Sequence, residues 1–130
     1  LDAGHAALTQ AALEGVSFAL RDNLEALKST GADLQSVIAI GGGSQSPYWV
    51  ELIATLLNLP ISLPKAGEFG AALGAARLAI CAATNADPEA IMTRPEIAKT
   101  VSPRSDLRDA YEEAYAHFVT LYPGIKALTQ

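Results

Sequence analysis

Ser36-Val37-Ile38-Ala39-Ile40-Gly41-Gly42-Gly43-Ser44-Gln45-Ser46-Pro47 is a short apolar run that stops at three glycines and restarts as a helix. An unbroken, β-branched stretch of this length is what a strand buried on both faces of a parallel sheet requires. It predicts a strand over 36–40. Pro47 suits the first turn of a helix and Ser46 suits its cap. Val50, Ile53, Ala54 and Leu57 then recur at helical spacing, which predicts a helix over 47–58. Glycines let a backbone approach a ligand closely, and a helix start offers N–H groups and a positive dipole end. The unit therefore suits a phosphate or a nucleotide base. A tight turn at a strand end, with no ligand, fits the same pattern.

Working outward, Asp2 can cap a helix over 4–30. Leu13, Val16, Leu20, Leu24 and Leu27 form its apolar face, opposite Arg21, Asp22, Glu25 and Lys28. Gly31 is its expected stop. Downstream, Leu59-Pro60-Ile61-Ser62-Leu63 predicts a strand over 60–63, which Pro60 confines to an edge or a strand start. Pro64-Lys65-Ala66-Gly67 reads as a turn, and Glu68 opens a helix over 68–84. Three prolines in 88–103 predict an irregular excursion with one helical turn near Glu89–Met92. A last helix over 106–121 carries Leu107, Tyr111, Ala114, Tyr115 and Phe118 on one face, and Pro123-Gly124 should end it. Alternating helices and strands give an α/β fold, with parallel strands covered by helices. Two strands make a thin sheet, so either further strands go unrecognised within these residues or the rest of the sheet lies on chain outside this sequence.

The 130 residues suit one domain, half of them hydrophobic and 18% charged. That composition excludes a disordered chain. A net charge of −5, with no Lys/Arg stripe, argues against nucleic acid as a partner. The weakly charged run 69–86 contains Arg77 and is rich in Ala and Gly, so no membrane span is expected. The single cysteine, Cys81, rules out an intrachain disulfide. It sits in an Ala-rich helix and is expected to be buried. With no secretory signal pattern, the cytoplasm is the expected compartment. The chain begins at Leu1, which is the start expected of a fragment.

The type of nucleotide site can be narrowed. A Walker A loop needs Gly-Lys-Ser/Thr after its glycines, and here Ser44-Gln45 follows. A dinucleotide fingerprint needs a third glycine where Ser46 stands, and an acid some 20 residues on, where Pro60–Pro64 has none. In Glu68-Phe-Gly-Ala-Ala-Leu-Gly-Ala-Ala76, Gly70 and Gly74 lie one turn apart and make a flat helix face for close packing.

These segments resemble the C-terminal, nucleotide-side domain of the FGGY carbohydrate kinases. "VIAIGGGSQSPYWVELIATLLNLPIS" and "EFGAALGAARLA" stand in that family's order and spacing. "AALEGVSFALRDNLEAL" is similar to its upstream helix, and "YEEAYAHFVTLYPGIK" resembles the xylulokinases in particular. The resemblance implies part of an actin/hexokinase-like (ribonuclease H-like) lobe, helix-rich and truncated at its N-terminus. It implies ATP with Mg2+ as cofactor, and D-xylulose as the sugar converted to D-xylulose 5-phosphate in pentose metabolism. By resemblance, Gly42, Gly43, Ser44 and Gln45 lie against the adenosine and phosphate part of ATP. Ser46 and Pro47 match the adenine-side edge, and the helix carrying Gly70 and Gly74 packs near the hinge between lobes.

The family's catalytic carboxylate and sugar contacts belong to an N-terminal lobe, and its first phosphate loop is Asp-x-Gly-Thr/Ser after a strand. Asp2-Ala3-Gly4 is followed by His5 and does not match. No catalytic residue is therefore assigned, and the fragment alone is expected to be inactive. Its partners are a nucleotide, a sugar and the missing N-terminal lobe. Apolar surface and strand edges left open by truncation predict self-association as a homo-oligomer. His5 and His117 lack an acid at metal spacing, so no metal site is assigned. Trp49 is expected to pack rather than stack on a base. The rival readings are a non-catalytic nucleotide-binding or scaffolding module and an NAD-type domain.

Overall fold

The structure, a computed structural model, describes residues 4–65 and 70–128. In chain order these give α1 (His5–Ser29), β1 (Val37–Ile38), a 3-10 turn (Gly42–Gln45), α2 (Pro47–Leu57) and β2 (Ile61–Pro64). There follow α3 (Gly70–Thr84), α4 (Pro88–Ile91), β3 (Ile97–Val101), a second 3-10 turn (Ser105–Leu107) and α5 (Arg108–Leu128). Asp2 and the segment Ala66–Phe69, with the helix start expected at Glu68, fall outside the described residues.

Helix α2 organises the molecule because it is apolar nearly all round. One side sends Leu52 and Leu56 into a cluster with Phe18 of α1, closed by Leu13, Trp49, Tyr111, Tyr115 and Phe118. The other side sends Val50 and Ala54 onto Ile61, flanked by Val37, Ala39, Leu63 and Val101. A helix with two packed faces needs apolar residues beyond a single stripe. The period Val50, Ile53, Ala54, Leu57 identified the sheet side and left out Leu52 and Leu56. Full burial of Leu56 alone contributes roughly 1.5–3 kcal/mol. Ser46 caps α2 by accepting from the Trp49 N–H, and Asn58, in the left-handed region at φ 50°, ends it.

The sheet departs from an all-parallel one. β1 pairs parallel with β2 (Val37↔Ile61), and β2 pairs antiparallel with β3 (Ile61↔Val101, Leu63↔Lys99). The expected irregular excursion over 88–103 thus contains a strand, delimited by Pro95 and Pro103. β3 is mostly exposed and carries Lys99, as edge strands often do, so it has no continuous apolar run to announce it. The strand expected over 36–40 is shorter in the structure, spanning Val37–Ile38. Among the described residues β1 is an edge, and Ile38 and Ile40 are about half exposed.

Three further expectations need correction. α1 buries Ser17, Phe18 and Leu24, whereas Val16, Leu20 and Leu27 of the assumed core face stay exposed. α5 does not end at Pro123 but carries that proline inside it and runs on to Leu128. Its last turns are exposed, with Tyr122 and Leu128 largely in solvent, so water can satisfy the carbonyl that Pro123 leaves without a donor. Cys81 is half-buried rather than buried, on an α3 with no buried residue.

Arg21 ties the helical layer together. Its guanidinium donates to both carboxylate oxygens of Glu112 (2.8 and 3.0 Å) and to the Leu56 carbonyl (2.8 Å). It also lies 4.7 Å over the Tyr115 ring. The Glu112 hydrogen bond raises the Arg21 pKa further, and the same bond from Arg21 holds Glu112 below the usual carboxylate range. Burial, with the Asp22 hydrogen bond, pushes Tyr115 up to about 12.

Candidate functional site

β1 hands the chain to the glycine loop through Gly41. Ladder bonds from the Val37 N–H to Pro60 O (3.0 Å) and from the Ala39 N–H to Ser62 O (3.1 Å) hold the strand in place. Gly41 then takes φ 84°, ψ −179°, a conformation essentially closed to residues with a side chain. The 3-10 turn over Gly42–Gln45 follows and delivers the chain to the N-terminus of α2.

The loop is fixed largely by its own bonds. The Ser44 hydroxyl donates to Gly41 O at 2.7 Å and the Ser44 N–H to the same oxygen at 3.1 Å. The Ser46 N–H donates to Gly43 O at 3.2 Å, and the Ser46 hydroxyl oxygen accepts from the Trp49 N–H at 3.3 Å. Ser44 and Ser46 are thus committed to loop geometry, whereas Gly42, Gly43, Gln45 and Pro47 are exposed.

The two glycines differ in what surrounds them. A side chain at Gly43 would meet the Trp49 ring at 2.7 Å, so packing within this chain explains that glycine. Gly42 has no atom within 4 Å of where a Cβ would stand, and its φ lies outside the left-handed region. Nothing in the fold demands glycine there. A bare, exposed Cα beside a helix N-terminus is what close approach by a ligand would use.

Trp49 packs, as its position suggests. Its ring lies against the Phe18–Leu52–Leu56 cluster and its Nε1–H donates to the Ser17 hydroxyl at 3.1 Å. Ser17 was not identified from sequence; a serine within an otherwise apolar helical stripe was the available signal. Tyr48 donates to Gln10, which ties the start of α2 to α1, and Tyr111 donates to Glu14 at 3.4 Å, which ties α5 to α1. Burial raises the Tyr111 phenol above its usual value.

Gly70 explains itself: a Cβ there would press on the Ile40 side chain, which packs directly on the backbone of α3. Gly74 has no neighbour within 4 Å, and the small-residue face beside it is open. On the other side of the loop, a groove of about 590 Å³ runs between α1, β1 and α2, lined by Val16, Leu20, Leu27, Ile38 and Ile53. Among the described residues no three His, Cys, Asp or Glu come together to hold a metal ion. No described helix is long and apolar enough to cross a membrane.

Comparison with known proteins accounts for this arrangement. Residues 1–83 match the profile of the "FGGY family of carbohydrate kinases, C-terminal domain". A xylulose kinase of Escherichia coli (strain K12) is 36% identical over 123 residues, covering 93% of this chain and 25% of its own. A crystal structure of a xyloylose kinase from Brucella ovis superposes with TM-score 0.85 at 56% identity, over 98% of this chain and 26% of that one. A xylulose kinase from Rhodospirillum rubrum superposes with TM-score 0.79 at 26% identity, over 98% of this chain and 26% of that one. The fold is part of an actin/hexokinase-like lobe, helix-rich α/β with a small mixed sheet. The chain belongs to the FGGY family of carbohydrate kinases and corresponds to its C-terminal domain. It spans about a quarter of the length of the relatives it matches.

Proposed function

We propose that this chain supplies the ATP side of a kinase that phosphorylates D-xylulose to D-xylulose 5-phosphate. The observation that carries the nucleotide assignment is Gly42, an exposed glycine that no neighbour or backbone angle of this chain requires. The sugar assignment rests on the xylulose kinases it resembles, above all the one at 56% identity.

In this reading the backbone of Gly42–Gln45 lies along the adenosine and phosphates, and Ser46 and Pro47 border the adenine. The N-terminus of α2 adds a positive dipole end facing negative charge. Phosphoryl transfer depends on positioning and charge stabilisation more than on covalent chemistry, so a preorganised loop is a direct contribution. A magnesium ion does not fit the residues present. The loop has no carboxylate, and a metal accompanying ATP would be held by its phosphates and by groups elsewhere in the protein. The base that deprotonates the sugar hydroxyl is likewise placed outside these residues, so the 130-residue chain alone is inactive. The apolar groove and the open edge of β1 receive the remainder of the kinase, a cytoplasmic enzyme.

The test uses the full-length protein. ATP-dependent phosphorylation of D-xylulose is compared with that of glycerol, gluconate, ribulose and fuculose, and Gly42→Val is assayed alongside. We expect the highest kcat/KM for D-xylulose, and an ATP KM raised at least tenfold by Gly42→Val with the sugar KM unchanged. Preference for another sugar would overturn the substrate assignment. An unchanged ATP KM in the variant would overturn the nucleotide assignment.

A further inference from the structure

Ser17 stands 25 residues before the glycine loop and is fully buried. Its hydroxyl donates to the Leu13 carbonyl at 2.7 Å, the back-bond a helical serine often makes. That leaves its oxygen free to accept, and the Trp49 Nε1–H fills it at 3.1 Å. An indole has a single donor, so this bond fixes the rotation of the ring about its attachment.

The far edge of the same ring forms the floor under Gly43. A Cβ built on Gly43 would lie 2.7 Å from Trp49 Cζ3 and 3.2 Å from Cε3, both atoms of the ring carbons opposite the N–H. Trp49 touches the loop a second time through its own backbone N–H, which donates to the Ser46 hydroxyl at 3.3 Å. One residue thus supports the loop at its middle and at its end, while Ser17 holds that residue from below.

We propose that Trp49 and Ser17 are positioning residues that set the height of the Gly42–Gln45 backbone above the start of α2, and hence the affinity for ATP. The proposal rests on the nucleotide reading of that loop. Neither side chain contacts the nucleotide. The indole transmits the position of α1 to Gly43, and the bare Gly43 Cα lets it do so in direct contact.

The experiment compares Ser17→Ala, Trp49→Phe and the double variant in the full-length protein, with Gly42→Val as the marker of nucleotide binding. Each single change removes the same N–H···O bond, so each should raise the ATP KM about tenfold with little change in the sugar KM or in kcat. Because the bond is shared, the double variant should be no worse than the poorer single one. A second pair tests the floor. Gly43→Ala should weaken ATP binding in the presence of Trp49, and combined with Trp49→Leu, which vacates the space, it should cost less than the two single losses added together. Thermal unfolding of each variant is recorded in parallel, and Ser17→Cys replaces Ser17→Ala if the latter does not fold. ATP KM values within twofold of the parent, in a protein where Gly42→Val raises them, would overturn this proposal alone. Equal rises in the ATP and sugar KM, tracking loss of stability, would also overturn it, as a core role predicts that pattern. An ATP KM unmoved by Gly42→Val would remove the nucleotide reading and this proposal with it.

Discussion

A single methyl group placed at Gly41 or at Gly42 should have opposite consequences. Gly41 sits at φ 84°, ψ −179°, where a residue with a Cβ costs about 1–3 kcal/mol. No atom lies within 4 Å of the added carbon, so the whole cost is local backbone strain. The loop cannot shed that strain for nothing. Turning Gly41 away loosens the two bonds from Ser44 to its carbonyl, at 2.7 and 3.1 Å, each contributing about 0.5–1.5 kcal/mol. Gly41→Ala should therefore lose about 1–3 kcal/mol whichever route it takes. Gly42 has neither a left-handed φ nor a neighbour. Gly42→Ala should leave the fold unharmed, or stabilise it by about 0.4–1 kcal/mol by restricting the unfolded chain. Its methyl group points into the space assigned to the nucleotide, so its cost should fall on ATP. Urea unfolding of the full-length protein, with and without a non-hydrolysable ATP analogue, separates the two outcomes. The expected pattern is a lower midpoint for Gly41→Ala, and for Gly42→Ala a normal midpoint with a reduced shift on adding the analogue. A Gly42→Ala variant as unstable as Gly41→Ala, or a Gly41→Ala variant of parental stability, would refute the division of labour between these glycines.

Two further outcomes concern the helical layer. Arg21→Met should cost about 3 kcal/mol in denaturant unfolding. The Leu56 carbonyl loses a charged donor and Tyr115 loses its cation, while the Glu112 pair counts for little because that carboxylate is 42% exposed. Arg21→Lys should recover only part of this, because a compact ammonium cannot both donate to the Leu56 carbonyl and spread over the Tyr115 ring as the planar guanidinium does. Acid should also weaken the layer. Glu112 is held below the ordinary carboxylate range by the Arg21 hydrogen bond, so it stabilises the fold above the unfolded glutamate pKa of about 4.3. That contribution is lost as pH falls through the lower folded value. Thermal midpoints should drop as the pH is lowered below about 4.3, and Glu112→Gln should flatten the drop.

Sequence carried the loop further than it carried the sheet. The cap at Ser46, the helix start at Pro47, the stop at Gly31 and the glycine turn each depend on one residue with a specific backbone preference, and such residues are legible singly. β3 was not legible, because an exposed edge strand needs no long apolar run and the three prolines of 88–103 made the stretch read as an irregular excursion. Pro123 misled because a proline penalty assumes that the freed carbonyl is buried, and here the helix end stands in water. The two-sided burial of α2 was visible in principle. Trp49-Val50-Glu51-Leu52-Ile53-Ala54-Thr55-Leu56-Leu57 has more apolar residues than one stripe can hold, yet a search for a single period stops when it finds one. Ser17 was hidden for another reason: its role exists only once α1 and α2 are packed, 32 positions apart at the bond to Trp49.

The position of α2 also explains how so small a part of a kinase can present a defined loop. The loop is the N-terminal extension of the most deeply buried helix in the described structure, with Val50 at 1% and Ala54 at 0% exposure within two turns of Pro47. Displacing the loop as a body would mean sliding α2 between the sheet and the α1–α5 layer, which would disturb both core clusters. The rest of the surface is organised differently. β1 is an edge, α1 shows Val16, Leu20 and Leu27, and α3 presents an open face around Gly74. Burial is concentrated where the loop needs support and withheld where, in our reading, the remainder of the kinase docks. In our reading, a loop rooted in a closed core and flanked by open faces can keep its shape while neighbouring parts move against it, as a cleft closing around a nucleotide and a sugar would require.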